Sequence, residues 1–270
     1  MKLSMMSYTM ARGKWGKQPD IRRLCAFTRE LGLEGIDFVT TYGVPPRQVR
    51  ALADDFGLKV VCYTFFAQSR SAERPELDKE QEALKEGIAT AQTLGADLVM
   101  LPIVPKHGRT DEDSIVYGLD FLASAVDLGR KAGITVSFEN RRPIIVAEQV
   151  QRALRQVYGL KVTFDNGNVL MGGEDPVRAI QAYGREIVHA HFKDWMKADA
   201  GGVGPGTDGA AYTPAVIGAG LVDQQGCIAA LKQAGYQGYI NIEYDGRDIE
   251  PDMAVRRSAE YLQKLLQDVS

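Results

Sequence analysis

The chain has 270 residues, of which 45% are apolar and 25% are charged, and its formal net charge at pH 7 is −3. This length fits one α/β barrel or two smaller domains, and the composition is that of a globular protein with a full core. The slightly acidic balance offers no basic surface for a phosphate backbone, which argues against nucleic acid as a partner.

The cysteines and the N-terminal segment indicate the compartment. Cys25, Cys62 and Cys227 lie far apart without paired spacing, which supports neither a zinc motif nor a disulfide framework and is typical of reduced thiols in the cytosol. Polar residues interrupt the N-terminal segment early, and no apolar run is long enough for a signal peptide or a membrane span. We therefore expect a cytoplasmic protein without a membrane partner.

Short apolar or β-branched segments alternate with segments of helical periodicity along the first half of the chain. Strands are predicted at residues 3–8, 35–38, 59–66 and 97–101. The helices between them are predicted at residues 19–31, from after Pro45-Pro46 to Gly57, and at 74–94 and 112–132. Proline or aspartate stands near several of the predicted helix starts and glycine follows the ends, as expected of helix caps.

The second half continues this alternation. Strands are predicted at residues 134–139, 160–165, 186–191 and 239–243, with helices at residues 147–158, after Asp175-Pro176, at 225–234 and at 252–266. Residues 193–220 are predicted to form the one long irregular stretch, rich in Gly and Ala. Eight strand–helix pairs without a break in composition predict a single (β/α)₈ TIM barrel domain over residues 1–270. An open doubly wound sheet is the alternative, but no Gly-x-Gly-x-x-Gly follows the first strand.

Four consecutive predicted strands end in side chains that can bind a metal ion, namely Glu139, Asp165, His191 and Glu243. Barrel active sites lie at the C-terminal strand ends, so these side chains should converge on one side of the mouth. One carboxylate there would be explained as a cap or a salt bridge, but four such positions in succession favour a metal site. The oxygen-rich set suits Mn²⁺ first, with Mg²⁺, Co²⁺ or Zn²⁺ as alternatives.

Two of the three histidines, His189 and His191, share one face of the seventh predicted strand. His191 is the predicted ligand because it lies nearer the strand end. His189 either supports the site from an inner layer by a hydrogen bond or is an ordinary core histidine. His107 lies in a predicted loop, where a solvated side chain is the expected state.

Four segments carry motifs of a known family: Phe-Asp-Asn-Gly-Asn at 164–168, Val-His-Ala-His-Phe-Lys-Asp at 188–194, Gly-Ala-Gly-Leu-Val-Asp at 218–223 and Ala-Gly-Tyr-Gln-Gly-Tyr-Ile-Asn-Ile-Glu-Tyr at 234–244. On these residues the chain resembles the xylose-isomerase-like TIM barrel superfamily, in the branch called sugar phosphate isomerases/epimerases. The resemblance covers essentially the whole chain and implies one divalent metal ion, held here by Glu139, Asp165, His191 and Glu243. It also implies that the two glutamates move protons.

The chain departs from the related ketose 3-epimerases at three positions. Asn168, Lys197 and Ile145 stand where those enzymes carry a histidine, an arginine and a glutamate. The residues that contact the substrate therefore differ, which argues against 3-epimerisation of a free ketose but leaves the metal chemistry intact.

The leading hypothesis is a divalent-metal-dependent isomerase or epimerase that acts on a keto-sugar or related polyhydroxy ketone. A proton is removed next to a metal-bound carbonyl, and Glu139 and Glu243 flank the substrate, so that one removes the proton and the other returns it. The alternative is a lyase or dehydratase of the inosose, 3-dehydroshikimate or 3-keto-glycoside type, in which the same enolate expels a β-leaving group. A non-catalytic barrel subunit is the third hypothesis, and the complete ligand set argues against it. Apurinic endonucleases also resemble this superfamily, but they use a multi-metal cluster built from many histidines, and this chain has only three.

Several further side chains are candidates for binding a small polyhydroxy carbonyl substrate. They are Tyr8, Asn168, His189, Lys193, Asp194, Trp195 and Lys197. Lys193 could instead protonate a leaving group, and Asp194 is equally well explained as a cap or a salt-bridge partner. Trp15, Phe65 and Phe66 either line the pocket or pack in the core.

The predicted irregular stretch, residues 193–220, contains Gly201-Gly202, Gly204-Pro205-Gly206 and Gly209. This composition favours a lid over the site or a contact with a second copy of the chain. A phosphorylated substrate is not implied, because the sequence holds no Gly-rich phosphate cradle.

Overall fold

The computed structural model describes residues 1–198, 202 and 204–268. Eight parallel strands close into a barrel: β1 (Lys2–Met6), β2 (Gly35–Phe38), β3 (Lys59–Thr64), β4 (Leu98–Met100), β5 (Thr135–Glu139), β6 (Lys161–Asp165), β7 (Ile187–Phe192) and β11 (Tyr239–Ile242). The strands follow one another around the barrel in chain order, and β1 pairs with both β2 and β11. The predicted closed α/β barrel is therefore confirmed.

In the part of the chain that the structure describes, ten α-helices lie between and after the strands. They are α1 (Ser7–Met10), α2 (Ile21–Glu30), α3 (Pro46–Asp55), α4 (Arg74–Leu94), α5 (Asp111–Ala132), α6 (Ala147–Gln156), α7 (Asn166–Met171), α8 (Pro176–Tyr183), α9 (Gln224–Gln233) and α10 (Pro251–Asp268). All except α1 and α7 correspond to helices that the periodicity predicts. Thr110 and Asp113 form a capping box at the start of α5, and Gly133 ends that helix with φ of 70°. Caps of this kind satisfy backbone groups that a helix leaves unpaired at its ends. Among the described residues, no helix is apolar over a length that would cross a membrane.

The first predicted strand is shorter in the structure than in the sequence analysis. β1 ends at Met6, and Ser7–Met10 forms the short helix α1. Tyr8 therefore lies on a helix at the barrel mouth and not at a strand end. Similarly, β3 ends at Thr64, which leaves Phe65 and Phe66 in the loop that follows it.

The segment after β7 differs from the irregular stretch that the sequence predicts. β8 (Asp194–Lys197), β9 (Gly204–Pro205) and β10 (Ala211–Ala215) form a small antiparallel sheet in the order β8-β10-β9. These strands are too short for a periodic pattern to be recognised, and pairing with each other stabilises them. Part of the predicted lid, including Gly201, lies outside the described residues.

Along β5, β6 and β7, alternation separates an apolar outer layer from polar side chains in the barrel interior. Phe138, Phe164 and Phe192 are fully buried in the core between the barrel and the helices. Successive side chains of a strand point to opposite faces, so their neighbours on β5, β6 and β7 point into the barrel. Inside, the hydroxyl oxygens of Ser137 and Thr163 lie 2.7 Å apart in a hydrogen bond. This polar interior supports the site at the mouth.

Candidate metal and substrate site

The four predicted ligands meet at the C-terminal end of the barrel. Glu139 and Asp165 are the last residues of β5 and β6, His191 is the penultimate residue of β7, and Glu243 directly follows β11. One ligand atom from each lies within 4.8 Å of the others, and all four side chains are buried. The structure thus brings together the set of residues that the strand ends predict.

His191 links the two glutamates. Its Nδ1 atom lies 2.9 Å from Oε1 of Glu139, in a hydrogen bond, and 3.5 Å from Oε2 of Glu243. The same ring nitrogen therefore faces both carboxylates, and it is the nitrogen that could join them in binding a cation.

Asp165 is oriented by backbone hydrogen bonds. Its Oδ1 atom accepts a bond from the Asn168 amide at the start of α7, and Asn140 holds the Asp165 backbone by accepting from its N–H and donating to its carbonyl. The other carboxylate oxygen, Oδ2, lies 2.9 Å from Nζ of Lys193. The Asp-Asn-Gly-Asn motif thus uses one oxygen as a helix cap and leaves the other directed into the site.

Lys193 places a buried cation among these acids. Its Nζ atom lies 3.2 Å from Oε1 of Glu243 and 3.2 Å from Oδ2 of Asp245. Asp245 also pairs with Arg12. Asp245 and Arg12 are site residues that were not predicted from the sequence. Asp245 could have been found because it stands two residues after a predicted ligand, whereas Arg12 is brought in only by the closure of β1 against β11.

The charges of the cluster shift its pKa values in opposite directions. Burial raises the pKa of Glu139, but the His191 hydrogen bond and the nearby positive charges outweigh it and lower the pKa to about 2. Burial lowers the pKa of His191, but Glu139 above all raises it to about 9. For Asp165, burial raises the pKa to about 7 against the opposing charge of Lys193, and burial also raises the pKa of Glu243.

Crowding three carboxylates in a buried space is unfavourable unless positive charge compensates for it. Oxygen donors with one imidazole form a hard donor set of the kind that divalent ions such as Mn²⁺ and Mg²⁺ prefer. The residues present therefore fit one divalent cation, held by Glu139, Asp165, His191 and Glu243.

A cavity of about 510 Å³ opens above the cluster. The candidate residues that line it are Tyr8, Asn168, Lys193 and Trp195, together with Glu139, His191 and Glu243, and Phe66 lines it as well. Arg141 and Arg142, which directly follow Asn140, also line the cavity and were not predicted from the sequence. Their signal in the sequence is only their proximity to Glu139.

Three candidate substrate-binding residues do not line the cavity. His189 is fully buried beneath the cluster, with Nε2 2.5 Å from Oδ2 of Asp37. Asp194 is also buried, and its carboxylate accepts backbone hydrogen bonds from Trp195 and from residues 218, 220 and 222. The Lys197 side chain is 63% exposed and lies 3.7 Å from Asp208.

Of the other aromatic candidates, Trp15 packs edge-on against Phe27 with ring centroids 5.4 Å apart. Phe65 stacks on Tyr63 in the core. These two candidates therefore pack with other residues, and only Phe66 of the three lines the cavity.

The chain is similar to two curated dehydratases. An inosose dehydratase of Lacticaseibacillus casei is 26% identical over 170 residues, which are 58% of this chain and 54% of that protein. A 3-dehydroshikimate dehydratase of Pseudomonas putida is 24% identical over 247 residues, 87% of this chain and 38% of that protein. The chain thus spans about half or less of the length of these curated relatives.

A solved structure of a sugar phosphate isomerase/epimerase from Parabacteroides distasonis superposes with a TM-score of 0.74 at 18% identity. The superposition covers 97% of this chain and 93% of that one, and it shows a common fold. The xylose isomerase-like TIM barrel family matches residues 25–265. The match and the barrel agree with the resemblance found in the strand-end motifs, and the chain belongs to the xylose isomerase-like TIM barrel family.

Proposed function

We propose that the chain is a divalent-metal-dependent enzyme that removes a proton next to the carbonyl of a keto-sugar or related polyhydroxy ketone, as an isomerase or epimerase does. The observation that carries this proposal is the buried cluster of Glu139, Asp165, His191 and Glu243, of which Glu139, His191 and Glu243 line the cavity. Mn²⁺ is the first choice of ion for this donor set, with Mg²⁺, Co²⁺ and Zn²⁺ as alternatives.

A divalent ion held by these residues would supply Lewis-acid stabilisation of the negative charge that develops on the carbonyl oxygen. Glu139 is the last residue of β5, and Glu243 directly follows β11. In the barrel, β6 and β7 lie between these two strands. The two carboxylates therefore approach the cavity from different sides. One of the two glutamates can therefore remove the proton from the substrate, and the other can return it.

Elimination is the second candidate reaction, and the position of Lys193 favours it. Its ammonium group is almost fully buried and lies 3.2 Å from Glu243 at the cavity. In an elimination, a glutamate takes the proton from carbon, the β carbon–oxygen bond breaks, and the departing oxygen takes a proton from Lys193. The curated relatives named above are dehydratases, which also supports this outcome.

The two reactions differ in their products, which proton NMR in D₂O can distinguish. Metal-loaded protein is incubated with ketoses, inososes, 3-dehydroshikimate and 3-keto-glycosides. Two controls are run with the same substrates: protein from which the ion has been removed with a chelator, and the Glu243→Gln variant. Deuterium at a carbon beside the carbonyl with the skeleton retained supports an isomerase or epimerase. New vinylic signals with loss of water or an aglycone support a lyase instead. A protein that binds no divalent ion and exchanges no proton contradicts both reactions.

A further inference from the structure

A second buried acid–histidine pair, Asp37 and His189, lies against the candidate ligand His191. Asp37 is on β2 and His189 on β7, and their side chains are 1% and 0% exposed. The 2.5 Å hydrogen bond between them crosses the barrel interior. The ring of His189 meets that of His191 edge-on, with centroids 5.1 Å apart and planes at 87°. Burial of the Asp37 carboxylate costs free energy, which suggests that this side chain has a specific role.

The two nitrogen atoms of His191 face different acids. Nδ1 faces Glu139 and Glu243, at 2.9 Å and 3.5 Å. Nε2 faces Asp37, whose Oδ2 atom is 3.9 Å away. Within the part of the chain that the structure describes, His191 Nε2 has no hydrogen-bond partner. Asp37 is therefore a carboxylate set behind the ligand imidazole, on the side away from the cavity.

A neutral imidazole carries its hydrogen on one nitrogen and binds a cation through the other. Because Nδ1 faces the carboxylates of the cluster, ion binding requires the hydrogen to be on Nε2. A negative charge next to Nε2 favours that tautomer, and carboxylates placed behind metal-binding histidines are known to orient the ring and increase its basicity.

We propose that Asp37, held in place by His189, is a positioning residue that keeps the His191 hydrogen on Nε2 and leaves Nδ1 free to bind the ion. This inference rests on the metal site of the proposed function. It also explains why His189 is buried beneath the cavity and makes no contact with it. A second ion between Asp37, His189 and His191 is a poorer explanation, because His191 would have to lose both ring hydrogens and the bond between Asp37 and His189 would have to break.

Calorimetric titration with Zn²⁺ tests the effect on binding. Asp37→Asn keeps the shape of the side chain and removes its charge, and we expect about 10–100-fold weaker binding. His189→Gln should also weaken Zn²⁺ binding, but less than Asp37→Asn does, because Asp37 then keeps its charge and loses only its orientation. Ser137→Ala is the matched control, since Ser137 is buried in the same interior and hydrogen-bonds to Thr163. It should bind Zn²⁺ like the wild type.

Melting temperatures establish that each variant is folded before titration. Wild-type affinity in a folded Asp37→Asn overturns the inference and leaves the metal site intact. If the wild-type protein binds no ion, the proposed function and the inference both fail, which is a different result. If Asp37→Asn does not fold, His189→Gln and the wild-type spectrum described next decide the question.

Nitrogen-15 NMR of the imidazole rings reports the tautomer directly, and the chain has only three histidines to resolve. In the Zn²⁺-loaded wild type, His191 should show a hydrogen on Nε2 and a zinc-bound Nδ1. His107→Gln and His189→Gln identify the other two rings. A zinc-bound Nε2 with the hydrogen on Nδ1 overturns the inference, whatever the affinities are.

Discussion

Nζ of Lys193 lies 2.9 Å from Oδ2 of Asp165 and 3.2 Å from Oε1 of Glu243. These oxygens belong to two of the carboxylates proposed to hold the metal ion. A side-chain cation and a bound divalent ion would therefore share the same negative charge, and Lys193 affects both ion binding and proton transfer.

Replacing Lys193 with Met should separate these two effects. Ion binding should become at least about tenfold tighter, because two unit charges 4 Å apart repel by ~4 kcal/mol at an effective dielectric constant near 20. Turnover of a substrate that undergoes elimination should fall about 100-fold or more if Lys193 protonates the leaving group. Titration calorimetry and steady-state kinetics measure the two quantities.

Lys106→Met is the matched control for loss of a buried ammonium group. Nζ of Lys106 is also fully buried and lies 2.7 Å from Oε1 of Glu80, and it does not line the cavity. This variant should lose stability but keep the wild-type affinity for the ion. Weaker ion binding by Lys193→Met than by the wild type would contradict the shared-charge interpretation.

The metal-free protein should become less stable as the pH rises from 5 to 9. Burial raises the pKa of Asp165 from 3.8 to about 7, so folding favours its protonated form and the benefit is lost as the pH rises through 7. Glu139 raises the pKa of His191 against the effect of burial, from 6.5 to about 9, and that contribution is complete below 6.5 and lost as the pH rises through 9. The lowered pKa of Glu139 contributes stability above about pH 4.5, which is constant over this range.

Melting curves at several pH values, with and without Mn²⁺, measure this effect. The ion displaces the protons held by Asp165 and His191, so it should bind more tightly and raise Tm more at pH 8 than at pH 6. A Tm of the metal-free protein that rises steadily from pH 5 to 9 would show that these two groups do not hold their protons in the folded chain.

Glu139→Gln and Glu243→Gln should each reduce turnover by about 100-fold or more at saturating Mn²⁺, since each side chain is proposed to move a proton as well as to bind the ion. Bound manganese, measured by elemental analysis, distinguishes loss of the ion from loss of proton transfer. Glu80→Gln changes a buried carboxylate outside the cavity and should retain turnover once folded. Full activity of both glutamate variants would exclude the proposed proton transfer.

Asp194→Asn should lower stability by about 3 kcal/mol or more, because a buried carboxylate that accepts backbone hydrogen bonds contributes ~1.5–3 kcal/mol for each charged bond. The carboxylate oxygens of Asp194 accept hydrogen bonds from the backbone amides of residues 218, 220 and 222, which hold this segment next to β8. Thermal unfolding and limited proteolysis near β10 measure the loss. An unchanged Tm with a raised KM would instead favour the substrate-binding role that the sequence left open.

Much of the barrel and its metal-capable cluster could be predicted from the sequence. Alternating apolar and helical segments with capping residues predict eight strand–helix pairs, because those patterns reflect local burial and hydrogen bonding. A barrel places all strand ends on one side, so Glu139, Asp165, His191 and Glu243 could be placed together without knowing any distance.

Only the tertiary structure decided which neighbours these residues have. Asp37 and His189 are 152 positions apart in the chain, and barrel closure alone makes them hydrogen-bonded partners. Lys193 and Asp194 are adjacent, yet one points into the cavity and the other binds backbone amides, because successive side chains of an extended segment face opposite ways. The types and spacing of the residues determine which ionisable side chains stand at the strand ends. Contacts between distant segments determine which charged neighbours each of these side chains has.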